Sequence, residues 1–146
     1  MGKRRKARES TLRILFQLEF NYSRPEKISD GYWKSRKISK EVEEYSRWLV
    51  NGITSNQEKI DSIIQSVSKH WRISRMAIID RNILRMAVFE LLYEESLAPA
   101  IVINEAIEIA KKYSDDQAAG FVNGILDAVK KKLNEIKKSL KEEKNG

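Results

Sequence analysis

Residues 73–129 read ISRMAIIDRNILRMAVFELLYEESLAPAIVINEAIEIAKKYSDDQAAGFVNGILDAV, and three blocks within them decide the fold. In the first block Met76, Ile79, Ile83, Met86 and Ala87 recur at helical spacing. Ala77, Leu84, Val88 and Leu91 form a second row beside them, so the spacing predicts a helix apolar around most of its girth. Such a helix belongs inside a bundle. The second block follows Pro99, which suits a first helical turn, and puts Ile103, Ala106, Ile107 and Ala110 on one face. The third opens with Ser114 and Gln117 at capping-box spacing and repeats Ala118, Phe121, Val122, Ile125 and Val129. On periodicity alone Phe121 is a core residue.

Working outward, 146 residues suffice for one ordinary domain or two small subdomains with a real core. There is no cysteine, which removes disulfides, thiolate nucleophiles and Cys-ligated metals and fits a reducing cytoplasm. No apolar run is long enough to span a bilayer, and the start leads into an amphipathic helix, not a secretory stretch. Met-Gly at the start does not signal myristoylation, because position 6 is Lys6. A soluble, cytoplasmic protein that does not engage a membrane is expected.

Upstream, Ala7, Thr11, Ile14, Leu15, Leu18 and Tyr22 make a broad inward face of a first helix, flanked by Leu12, Phe16 and Phe20. Residues 23–40, with Pro25, Ser29, Gly31 and Ser35, read as a loop with a short helical turn around Ile28–Trp33. Helix resumes near Lys40 along Val42, Tyr45, Leu49 and Ile53. Gly52 and Thr54-Ser55-Asn56 interrupt it, and Ser55 with Glu58 forms a capping box for a helix carrying Ile60, Ile63, Ile64, Val67 and Trp71. The expectation is one all-α domain over 1–146, built as two packed three-helix bundles, about 1–72 and 73–146, with Trp71–Ser74 as the turn between them. Only Ala100–Ile103 is ambiguous with strand.

The net charge is +7, with a pI near 9.6, and points to an anionic partner. Lys130, Lys131, Lys132, Lys137, Lys138 and Lys141 alternate with Leu133, Ile136 and Leu140, which reads as a solvated face extending the last helix. Lys3, Arg4, Arg5, Lys6 and Arg8 are different, since they crowd the first turn of a helix, where cations oppose the dipole. Folding stability does not explain them on local grounds. Five contacts to single-stranded phosphates would give a salt slope of about −3.5; a solvated tail is the plain alternative.

Catalysis finds no support. His70 is the lone histidine, and no Ser or Cys nucleophile stands in a recognisable setting. Asp80, next to Arg81 and about a turn from Arg85, suggests ion pairing. Phosphate-binding glycine loops and His/Cys metal clusters are missing, so no cofactor and no metal is expected. Gly120 and Gly124 each cost a helix roughly 1 kcal/mol relative to alanine. The plainer account is tight packing against another helix. The functional one has RNA passing beside them, with Tyr113 and Phe121 as stacking platforms.

The wording of DRNILRMAVFELL, VINEAIEIAKKYS and FVNGILD, in that order, and of the opening RRKARESTLRILFQLEF, resembles the NusB family of bacterial transcription antitermination factors. The resemblance covers nearly the whole chain, with residues 24–40 its least distinctive part. It implies two three-helix bundles and binding of boxA, a short element in ribosomal RNA leader transcripts. It implies Lys3, Arg4, Arg5, Lys6 and Arg8 on phosphates and Tyr113, Gln117 and Phe121 near the bases. It implies a second contact, through Phe16 and Asp80, with the ribosomal protein NusE, and a complex with other Nus factors and RNA polymerase that reads through terminators. Gly120 stands where a basic side chain would help bind RNA, and Gln117 where some members carry an acid. Two alternatives remain beside this reading: a helical protein-protein scaffold without specific RNA binding, and the N-terminal module of an RNA cytosine methyltransferase, which needs a catalytic cysteine and cofactor domain absent from this sequence. Whether the free protein is a monomer or a homodimer stays open.

Overall fold

The computed structural model describes residues 2–21 and 23–145; Tyr22, expected on the inner face of the first helix, lies outside them. The helices are α1 (Lys3–Phe20), α2 (Pro25–Lys34), α3 (Lys40–Ser55), α4 (Gln57–Val67), α5 (Ile78–Tyr93), α6 (Pro99–Tyr113), α7 (Asp116–Lys131) and α8 (Leu133–Asn145), with a 3-10 turn at Ile73–Arg75. Among the described residues there is no strand, and the ambiguous Ala100–Ile103 belongs to α6.

Every residue of α5 from Asn82 to Leu92 is buried, as its two apolar rows require. It packs against α1, α3, α4, α6, α7 and α8. One large apolar cluster joins Leu15 of α1, Leu49 and Ile53 of α3 and Ile60 and Ile64 of α4 to Ile83 and Leu84 of α5, Ile109 of α6 and Leu126 of α7. Each such side chain contributes roughly 1.5–3 kcal/mol on burial, so the helices from both halves are held by a shared core. A smaller cluster of Ala7, Ile14, Tyr32, Trp33, Val42 and Val50 sits between α1, α2 and α3.

Several local expectations are corrected. Residues 25–34 form a full helix, not a loop with one turn. Pro25 starts it, and Ser29, Tyr32 and Trp33 form its buried face. Gly52 does not interrupt α3: a Cβ there would lie 2.1 Å from Cζ of Phe89, so glycine admits that ring against the backbone. The helix ends instead where the Asn56 side-chain amide donates to the Gly52 carbonyl at 2.7 Å. Ser55 is therefore the last residue of α3, and no capping box with Glu58 forms. Trp71 leaves the helix altogether, because α4 stops at Val67. At the start of α7 the cap is Asp115, not Ser114; its carboxylate accepts from the Ala118 amide at 2.7 Å. The Lys-rich end does not extend α7 but forms the separate α8, anchored by Leu133, with Ile136 and Leu140 packed on the core.

Candidate nucleic-acid interface

The basic start lies in the first turns of α1, where Gly2 offers no side-chain cap and no acid occupies the first turn. Acids from distant helices meet it instead. Lys3 pairs with Glu41 at 3.2 Å, and Arg4 pairs with Glu94 at 3.0 Å while its guanidinium lies 3.8 Å over the Tyr45 ring. Arg5 binds Glu105. Arg8 is 3% exposed; its Nε and Nη2 donate to the two oxygens of Glu90 at 2.8 and 2.9 Å, and Nη1 donates to Glu105 at 3.0 Å. Tyr45 also donates to Glu90, and beside that carboxylate its own hydroxyl is held well above the ordinary phenol range by burial and by Glu90's charge. Lys6 is exposed and makes no ion pair among the described residues. The view that folding stability does not explain these cations is thus corrected for Arg8 and Arg5. Their partners stand 82 and 100 positions away, beyond any local pattern.

One turn further on, Glu9 accepts from Lys112 at 2.7 Å and from the Tyr113 hydroxyl, which in turn accepts from Arg13 at 3.1 Å. Burial pushes the Glu9 carboxyl up, but the bonds from Lys112 and Tyr113 outweigh it and leave the group below its ordinary value. Tyr113 is thereby fixed at the end of α6, half-buried against α1.

Gln117 and Phe121 share a second feature, a cleft of about 390 Å³ whose walls include Trp71, Arg75, Asp80 and Asp115. Phe121 is not core: it is half-buried, rests on the core with one side and meets the exposed Trp71 edge-on at 6.2 Å. Asp80 forms no pair with Arg81 or Arg85, contrary to expectation. Arg81 binds Glu19 at 2.7 Å, and Arg85 binds Glu19 and Asp61 at 3.1 and 2.8 Å. Asp80 turns instead toward Ser114 and Asp115, where burial and the second carboxylate push its carboxyl up. Phe16 lies outside this cleft, 42% exposed, and stacks edge-on with the 66% exposed Phe20 at 5.1 Å. Nothing lies within 4 Å of a Cβ added at Gly120 or Gly124, so tight helix packing does not account for them.

Sequence reasoning missed Trp71 and Arg75 as parts of this cleft. The signal available was a tryptophan beside the turn between the two halves, where no core needs it. Among the described residues no group of three or more histidines and carboxylates could hold a metal, and no helix is long and apolar enough to cross a membrane.

A family model described as the NusB family matches residues 5–131. The chain belongs to the NusB family. The transcription antitermination protein NusB of Bdellovibrio bacteriovorus is 46% identical over 131 residues, covering 88% of this chain and 95% of that protein. NusB of Myxococcus xanthus is 38% identical over 138 residues, 92% of this chain and 99% of that one. Among solved structures, T. maritima NusB superposes with a TM-score of 0.80 at 37% identity, covering 88% of this chain and 90% of that chain. A crystal structure of the antitermination factors NusB and NusE with double-stranded RNA gives 0.78 at 31% identity, over 95% and 98% of the two chains. The all-α NusB architecture expected from the sequence is thus the one observed.

Proposed function

We infer that this NusB chain is an RNA-binding transcription antitermination factor of the cytoplasm. It binds boxA-type RNA of ribosomal RNA leaders together with NusE, and with other Nus factors it helps RNA polymerase read through terminators. It acts by binding and not by catalysis, as one unit made of two helical halves, about 1–72 and 73–146. The observation that carries the reading is the likeness, along nearly the whole chain, to a NusB that has been crystallised with NusE and RNA. The half-buried rings of Tyr113 and Phe121 favour unpaired RNA here, because a base inside a duplex offers no free face to stack on.

Within the interface the roles divide by exposure. Lys3, Arg4 and Lys6 are open to solvent and take phosphates; Arg5 assists them, half-buried on Glu105. Arg8, enclosed by Glu90 and Glu105, acts by holding the start of α1 in place. Tyr113, Gln117 and Phe121 serve the bases. Phe16, extended by Phe20, and Asp80 serve the protein partner.

Replacing Lys3, Arg4 and Lys6 together by alanine tests this division. Three phosphate contacts contribute a slope of about −2 to log affinity against log salt, since each adds roughly −0.7 on a single strand. Anisotropy of labelled boxA RNA over a salt series should show the triple variant's slope shallower by about that amount, with its melting little changed. An unaltered slope would remove these residues from the interface.

A further inference from the structure

Helix α8 starts where the match to the NusB family model has ended, at residue 131, and its charges are sorted by side. Leu133 is buried and Ile136 and Leu140 rest on the core, so the helix is held in a fixed place and its apolar residues are already engaged. At 3.6 residues per turn Lys137, Lys138, Lys141 and Lys144 fall within about a third of its circumference, and at 1.5 Å per residue they spread over about 10 Å. Glu135 and Glu143 face the other way, into a cleft with Glu58 and Lys59 of α4 that none of these four lysines lines.

None of the four lysines makes an ion pair among the described residues, and Glu142, four positions after Lys138, does not pair with it. The lysines just before them are accounted for differently. Lys130 and Lys131 occupy the last turn of α7, where the helix dipole favours cations, and Lys131 pairs with Asp127 at 3.2 Å. Lys137 and Lys141, one turn apart inside α8, repel each other instead. That repulsion works against the helix, and a polyanion laid along the face relieves it.

We propose that the lysine face of α8 is a second, sequence-independent RNA contact, which takes the phosphates of the transcript outside boxA. The proposal rests on the RNA-binding reading above and adds a surface to it. Lysine ammonium groups are point charges, and no aromatic side chain lies on α8, so the face holds backbone and reads no base. Sixteen residues of α7, about 24 Å of helix, separate the base-contact candidate Gln117 near its start from α8 beyond its end, so the two regions serve different nucleotides of one strand. Tethered at boxA, the flanking RNA meets the lysines at a raised effective concentration. An anionic membrane would also suit the charge, but the apolar residues that would enter a bilayer are packed on the core.

The test compares labelled boxA RNA alone with boxA centred in an unstructured leader RNA several times its length, each titrated by anisotropy over a salt series. The variant combines Lys137→Gln, Lys138→Gln, Lys141→Gln and Lys144→Gln, and circular dichroism should show it melting near the wild-type temperature. Its slope of log affinity against log salt on the long RNA should be shallower than wild type by about 2.8, four contacts at roughly 0.7 each. On boxA alone its affinity and its preference over a scrambled RNA should stay as in wild type, and the four Lys→Arg changes should retain the full slope on the long RNA. An unchanged slope on the long RNA would overturn the proposal, and so would an equal loss on both RNAs, which would assign the face to boxA itself. Binding to phosphatidylserine vesicles that the variant loses while it keeps the long RNA would also overturn it, in favour of a lipid surface. A wild type without any boxA preference would instead sink the antitermination reading, a result read on a different pair of RNAs.

Discussion

Arg8 and Glu90 are nearly fully buried and satisfy each other, with Glu105 and Tyr45 completing the network. Removing Arg8 leaves Glu90 buried without its counter-ion, which costs about 3–5 kcal/mol, and removing Glu90 leaves Arg8 only its bond to Glu105. Arg8→Ala and Glu90→Gln should therefore both lower stability in denaturant melts by roughly that much or a little less, whereas Lys6→Ala, at an exposed site, should stay within about 0.5 kcal/mol of wild type. Equal, small effects at all three would contradict the network. The glycines divide in the same manner. Gly52→Ala drives a methyl into the Phe89 ring, itself flanked by Trp48 and Tyr93 at 4.9 and 5.0 Å, and should cost about 1–3 kcal/mol. Gly120→Ala and Gly124→Ala meet open space in a regular helix and should each stabilise by about 0.5–1 kcal/mol. A thermal melt of the three variants separates a glycine required by packing from two that the fold does not require.

At the scale of the element, α1 is fastened to its neighbours by carboxylates whose pKa values are lowered. For Glu105 the hydrogen bond from Arg5 is the leading cause. For Glu9 and Glu19 burial acts upward but is outweighed by Lys112 and Tyr113 in one case and Arg81 in the other. A carboxyl depressed in the folded state contributes stability above its ordinary value of 4.5 and loses it as pH falls through the depressed value. Asp80, raised by burial and by Asp115, works in the opposite sense, one group against these three and Glu94, whose carboxyl is lowered first by the Ser96 hydroxyl. The denaturation midpoint should accordingly be steady near neutrality and drop as pH falls below about 4.5; a midpoint that rises on acidification would contradict the α1 ion pairs. The same element shows what its sequence hides. Its apolar face was legible because Ala7, Ile14 and Leu15 repeat at helical spacing. The partners of Arg5 and Arg8 were not, because pairing across about 100 residues leaves no periodic trace. Helix α2 was missed for another reason: its buried face is Ser29, Tyr32 and Trp33, and a small hydroxyl residue does not register as apolar in a ten-residue window. Trp71 was misassigned because it falls in step with Ile60, Ile64 and Val67, although Gln65 and Ser68 tie the chain away from the helix there.

For the whole molecule, α5 was legible apart from its start, since Met76 and Ala77, counted in its rows, precede it; two apolar rows on one helix leave only the centre of a bundle as its place, and the chain places it there. The candidate interface was legible in composition but not in geometry. The basic start, Tyr113, Gln117 and Phe121 were marked by charge, aromaticity and family wording, whereas the cleft that joins Gln117 and Phe121 to Asp80 and Trp71 forms only when α7 folds back beside the turn between the halves. That juxtaposition places an RNA-contact candidate and a partner-contact candidate on one surface, so RNA and NusE should bind cooperatively through effective concentration. The central claim is tested most directly by fluorescence anisotropy of labelled boxA RNA and a scrambled RNA of equal length, titrated with this protein in the presence and absence of NusE. A preference for boxA that grows when NusE is added is the predicted result; equal affinity for the two RNAs, indifferent to NusE, would contradict it and leave a basic helical scaffold whose partners are proteins.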